Sequence, residues 1–278
     1  MWIYLVVFNF VFALPVAIAF RSWISSASGF SLALTRSIGK FDFTFLTDLL
    51  RNYPGFSLIS GQALIFALGY LIFSAFLSGG ILNCYVHHRE SFSLKEFLYG
   101  SARYFWRILL MEFLFLVVQL IVLFVFWRII DAKGVNPKEM ISDLHFLHFL
   151  WVAVPGYLCV ALVIAMFQIY GKIHLVSDGQ TSVIRAIRKG IRFATRHFGS
   201  VILLFLVNAF LFGVLLIIYG MVKGAIPSGS AGGIMLTFVF AQVFLLGRIL
   251  IRLLTVSSAN ELMRIFASAA VPANNVEV

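Results

Sequence analysis

Residues 182–222 read SVIRAIRKGIRFATRHFGSVILLFLVNAFLFGVLLIIYGMV, and the change of character at residue 200 decides the fold. The second half, 201–222, is rich in Phe, Leu, Ile and Val and carries no charge. A helix needs about 20 such residues to cross the hydrocarbon core of a bilayer. The first half carries Arg185, Arg188, Lys189, Arg192 and Arg196. A strongly basic segment joined directly to an apolar run is the pattern of a membrane helix and the loop that anchors it.

The same apolar signature recurs along the chain. Spans are predicted near 2–20, 58–82, 108–130, 149–170, 201–222 and 234–256. Long continuous runs exclude the short alternating strands of a barrel, and lipid leaves only helices and barrels as spanning structures. The expected fold class is therefore all-α, one integral membrane domain of six spans over 1–278. Composition agrees: 62% of residues are hydrophobic and 12% charged, with a mean hydropathy of +1.01. Soluble domains carry about 25% charged residues. Cys84 and Cys159 both lie in or beside apolar runs, so no disulfide framework is implied.

Lysine and arginine orient the spans. The loops 83–107 and 171–200 hold four and six of them, whereas 21–57, 131–148 and 223–233 hold four, two and one. Both termini are accordingly expected on the inner, cytoplasmic side of the membrane. Trp2, Trp23, Trp106, Trp127 and Trp151 fall near predicted boundaries, as an aromatic belt does. Ala17-Ile18-Ala19 resembles a signal-peptidase site, but only Met1 precedes Trp2 where a signal peptide has a basic region. Asn9 within the run also suits a retained, packed helix.

At about 100° per residue, Arg185, Arg188, Lys189, Arg192 and Arg196 form one stripe, with Ile184, Ile187, Ile191, Ala194 and Phe198 opposite. This predicts an amphipathic helix over 182–198, lying in the interface with its apolar face down. Asp178, Thr181 or Ser182 is placed to cap its start and Gly199 to end it. Each basic residue near an anionic leaflet contributes about 1 kcal/mol at most. The stripe reads plainly as a positive-inside anchor and more sharply as a site for anionic lipid headgroups or a protein partner. No nucleic-acid fold accompanies it, so nucleic acid is not expected.

Residues 89–109, RESFSLKEFLYGSARYFWRIL, look related. A shift of 89 places Ser93 on Ser182, Arg103 on Arg192, Tyr104 on Phe193 and Arg107 on Arg196. Ser93-Leu94-Lys95-Glu96 reads as a capping box opening a second surface helix over 93–106. The two segments suggest an internal repeat of span, surface helix and span. Such repeats frame a central site in many transporters, although duplication alone explains them equally well.

Polar groups inside apolar runs are the natural functional candidates. Glu112 lies in the third run, Arg248 and Arg252 in the sixth, and a Glu112–Arg248 or Glu112–Arg252 pair is expected. Such a pair is either a packing clamp or a gate, and Arg252 can also snorkel. Gln119, Gln168, Asn208 and Gln242 read as interhelical hydrogen-bonding groups worth about 0.6 kcal/mol each. Gly69, Gly79 and Gly80 permit close helix approach.

Residues 40–54 suggest a short helix stopped by Pro54, and 226–233 a turn lacking the GK[ST] of a phosphate loop. His87-His88 suits a solvated loop. Asp143, His145 and His148 offer one carboxylate and two imidazoles, but no further ligand follows, and no metal or cofactor is expected. No nucleophile elbow, paired catalytic carboxylates or dinucleotide fingerprint is present, which argues modestly against an enzyme.

Three stretches, GGILNCYVHHRESFSLKEFLYGSARYFWRIL, IYGKIHLVSDGQTSVIRAIRKGIRFATRHFGS and GRILIRLLTVSSANEL, together resemble a group of bacterial multi-span proteins. These are distantly similar to the membrane domain attached to some glycerophosphodiester phosphodiesterases. The likeness covers 75–265 and is strongest in the basic loop segments. It implies a six-helix bundle with surface helices on the inner face. It carries no catalytic residues over, because the hydrolase activity of those relatives resides in a separate soluble domain. It also implies that such proteins often begin further upstream. The expected role is a non-enzymatic scaffold or accessory subunit engaging anionic lipid or a membrane protein. The alternative is a small transporter or lipid-handling protein with Glu112, Arg248 and Arg252 near its path.

Overall fold

A computed structural model describes residues 56–87, 93–132, 143–179, 182–226 and 231–269, with isolated residues between 7 and 21. From residue 56 onward the described residues form helices α1 (Phe56–Val86), α2 (Leu94–Ala132), α3 (Asp143–Ser177), α4 (Val183–Arg196), α5 (Phe198–Ala225) and α6 (Ala231–Ala269). Among the described residues there is no strand. All but α4 contain a stretch long and apolar enough to cross a membrane: Leu64–Val86, Leu94–Ile129, Ala153–Ser177, Phe198–Ala225 and Gly232–Ser268. The described residues between 7 and 21 are helical, but the expected first span at 2–20 and the short helix at 40–54 otherwise lie outside the described residues.

The surface of these helices is that of a membrane-embedded protein. Phe210 is 71% exposed and Ile217 61%, and exposed Phe, Leu and Ile continue along the length of α2 and α5. A water-soluble surface rarely carries contiguous apolar area of this extent. Against lipid chains the same side chains meet their own kind.

The chain divides into two compact units. One comprises 74–207 and 255–278, and its centre is the C-terminal half of α3. Ile164, Met166, Tyr170, Ile173, Leu175 and Val176 are buried there, within a cluster that draws Ala75 and Leu82 from α1 and Tyr104, Ile108, Met111 and Phe115 from α2. Val183, Ala186 and Ala194 of α4, Val201 and Phe205 of α5, and Ala259 and Met263 of α6 complete it. Lipid tails are as apolar as these side chains, so close packing rather than water exclusion must hold such helices together.

That packing depends on small residues at two crossings. At the first, a Cβ on Gly79 would lie 3.2 Å from the Gly100 carbonyl oxygen, so α1 and α2 touch backbone to backbone. The amide of Asn83 reinforces the crossing by donating to the Glu96 carbonyl at 3.3 Å. At the second, a Cβ on Gly190 would lie 2.5 Å from the backbone nitrogen of Gly171 and 2.8 Å from its Cα, which only glycine permits.

The helix boundaries follow local chemistry, with three departures from expectation. Gly179 takes the left-handed conformation (φ 58°) and ends α3, its amide donating to the Val176 carbonyl at 3.4 Å. Ser182 occupies the N-cap of α4 in extended conformation, but its side chain makes no capping bond. The break after α4 falls at His197 (φ −114°, ψ 34°) rather than at Gly199, which is helical within α5. The ring of His197 stacks on Phe266 of α6 with centroids 4.0 Å apart, which holds the residue at the corner. In the related segment no corner forms. α2 runs unbroken for 39 residues, about 58 Å at about 1.5 Å per residue. The expected surface helix at 93–106 is therefore continuous with the span at 108–130. Neither glycine nor proline lies between Arg103 and Ala132 to interrupt it.

The other unit comprises 1–73 and 208–254. Here Phe244 of α6 packs on Tyr219 and Phe212 of α5, with ring centroids 4.7 and 6.3 Å apart. Gly247 admits Leu215 beside it. Thr237 satisfies its hydroxyl on the Gly233 carbonyl at 2.8 Å, a usual device for a polar side chain in a membrane helix.

Candidate functional site

Three faces run along α4 at about 100° per residue, the basic one about 150° from the buried one and an apolar edge between them on one side. Val183, Ala186, Gly190 and Ala194 form the first and are buried. Their spacing, with small residues at 186, 190 and 194, is the small-x-x-x-small pattern that lets two helices meet closely. Phe193 adds a ring contact to Tyr170 at 5.0 Å and another to Phe266 at 6.3 Å. The helix is thus fastened to α3 and to the end of α6.

Arg185, Arg188, Lys189, Arg192 and Arg196 form the second face, and all five are exposed. Lys189 donates to Asp178 at 2.7 Å across the α3–α4 turn. Among the described residues no ion pair engages the four arginines. Ile184 and Ile191 form the third face, 67% and 37% exposed. The hydroxyl of Thr195, beside them, bonds back to the carbonyls of Ile191 and Arg192 at 2.9 and 3.1 Å. The apolar side expected to lie whole on the bilayer is therefore divided. Ala194 and part of Ile187 belong to the protein interior, and Ile184 and Ile191 to the surface.

On α2, Arg103 is exposed, with its guanidinium 5.9 Å from the Tyr99 ring and 5.6 Å from the Tyr104 ring. Such cation–π contacts fix the side chain along the helix. Arg107 is half-buried.

Glu112 is only 8% exposed, and its partner is Lys172 of α3, 9% exposed, at 2.9 Å. Arg248 and Arg252 were the expected partners; both are exposed on α6 and belong to the other unit. Lys172 escapes notice in the sequence because it stands among the loop cations counted for orientation. Helix α3 continues seven residues past the expected end at 170, and so carries Lys172 into the packed region. A carboxylate and an ammonium at this depth each depend on the other, since burying one alone costs several kcal/mol.

Another polar contact joins helices within the unit. Asn260 of α6 donates to the Tyr85 carbonyl of α1 at 3.3 Å. His174 approaches Asp178 at 3.6 Å. The side chains of Asp143, His145 and His148 lie outside the described residues. Gln168 is half-buried, in keeping with a packing role.

These features define a class: an all-α protein of the membrane, with a basic row fixed on a short helix between two spans. No family model, no curated protein and no solved structure matches the chain.

Proposed function

We propose that the protein is an inner-membrane scaffold or accessory subunit, with the basic row of α4 seated on the anionic cytoplasmic leaflet. One observation carries this reading. Five exposed cations stand on a helix whose opposite side is locked to α3 through Gly171 and Gly190. A flexible loop would suffice to orient the chain by charge alone; a helix clamped in place offers a defined surface. The ionic pair Glu112–Lys172 then serves as an internal clamp between α2 and α3, and the exposed faces of the spans offer area for a membrane partner. The likeness to the membrane domain of glycerophosphodiester phosphodiesterases belongs to the same proposal, since it implies a bundle with inner-face helices and no hydrolase centre.

The buried pair also favours a second reading. Ionisable residues at membrane depth commonly mark solute paths, and a transporter would place Glu112 and Lys172 beside one. Gentle extraction from native membranes, with mass spectrometry of everything retained, separates the two. A membrane protein recovered in fixed ratio, lost when the α4 cations are replaced by Gln, supports the scaffold. A retained small solute that Glu112→Gln releases, with no protein in fixed ratio, supports transport instead.

A further inference from the structure

We infer that the arginine row of α4 is a binding site for the phosphate groups of membrane lipids, not merely a patch attracted to negative charge. This rests on the proposed seating of α4 and adds to it the chemistry of the ligand. Lys189 is engaged by Asp178 at 2.7 Å, so the cations presented outward are Arg185, Arg188, Arg192 and Arg196, all guanidinium. They span eleven positions, about 16 Å at about 1.5 Å per residue, within one narrow stripe. A guanidinium presents its N–H groups as a planar fork that matches two phosphate oxygens at once, whereas an ammonium acts as a point charge.

The site is preorganised. Gly190 lies against the Gly171 backbone, and Phe193 is held between Tyr170 and Phe266, so the row cannot swing away from the bundle. The third face identifies the source of the phosphate. Ile184 and Ile191 are exposed directly beside the arginines. A soluble phosphate has nothing to offer these side chains. A lipid places acyl chain against them and phosphate against the arginines in one molecule, the arrangement of an amphipathic helix at the headgroup boundary.

The test uses the full chain purified in neutral detergent, with native mass spectrometry counting lipid retained from mixed micelles. The micelles contain either phosphatidylglycerol or oleate at equal negative charge. Three proteins are compared: the native chain, Arg185→Lys/Arg188→Lys/Arg192→Lys/Arg196→Lys, and the corresponding fourfold Gln variant. All four side chains are exposed, and the Lys variant keeps every charge, so loss of folding does not cloud the result; melting temperature is recorded for each. The native chain is expected to retain phosphatidylglycerol over oleate by roughly tenfold, about the worth of one lost charge-assisted bond. The Lys variant should lose most of that preference, and the Gln variant should retain neither lipid. Equal retention of both lipids, or a Lys variant that matches the native chain, overturns the phosphate assignment while leaving the electrostatic seating intact. A Gln variant that matches the native chain overturns both. Adding inorganic pyrophosphate tests the source: if it displaces the lipid and itself stays bound, a soluble phosphate is the occupant and the lipid assignment fails.

Discussion

Glu112 and Lys172 are a small part of the molecule, yet they set the clearest test of its interior. Their separation of 2.9 Å and near-complete burial mean that neither can be altered alone without stranding charge. Glu112→Gln is expected to destabilise the protein by about 3 kcal/mol or more, measured as a fall in the detergent melting midpoint. Glu112→Gln with Lys172→Met should recover most of the loss; no recovery would mean that the pair is not an energetic unit. Glycine supplies a second test. Gly190→Ala forces a methyl against the Gly171 backbone and should cost about 1–3 kcal/mol. Gly213→Ala, where nothing lies within 4 Å of the added carbon, should be neutral or stabilise by up to about 1 kcal/mol. Equal responses at the two sites would remove the close crossing.

At the scale of elements, α2 and α4 show how one sequence pattern takes two forms. Both segments carry basic residues in step, Arg103 aligning with Arg192 and Arg107 with Arg196. Only α4 ends in a corner, because His197 leaves helical geometry and stacks on Phe266. The equivalent position in α2 is Ile108, fully buried within the packed cluster. Spin-label accessibility scanned from Ala102 to Leu114 should follow a period of about 3.6 residues without a phase jump. A jump near Arg107 would restore a separate surface helix. In the second segment, the same scan should change phase at His197. The basic face of α4 was legible because charge has one strong period. Its packing face was not separated from its lipid face, since Ala194 and Ile191 are both simply apolar by pattern. The 186-190-194 spacing of small residues was the signal that distinguishes them.

For the whole molecule, the orientation of α5 is open to direct measurement. α5 has 28 residues, about 42 Å long, close to the full thickness of a bilayer with its headgroups. After replacement of Cys84 and Cys159 by serine, Ser200→Cys and Lys223→Cys should react with an impermeant maleimide from opposite sides of sealed membranes. The proposed orientation places Ser200→Cys on the cytoplasmic side. Reaction of both from one side would deny that α5 spans, and the reverse pattern would invert the topology.

Length, hydropathy and charge spacing by themselves determined that this chain is helical and suited to a membrane, and which face of 185–196 is basic. These are properties of one segment against its solvent, and a segment's own sequence contains them. Tertiary structure alone decided that Glu112 meets Lys172 and that the apolar side of α4 is shared between α3 and the surface. Each depends on residues far apart in the chain, sixty positions apart for Glu112 and Lys172. Apolar side chains in lipid have no solvent preference to reveal their partners; shape at close contact chooses among them.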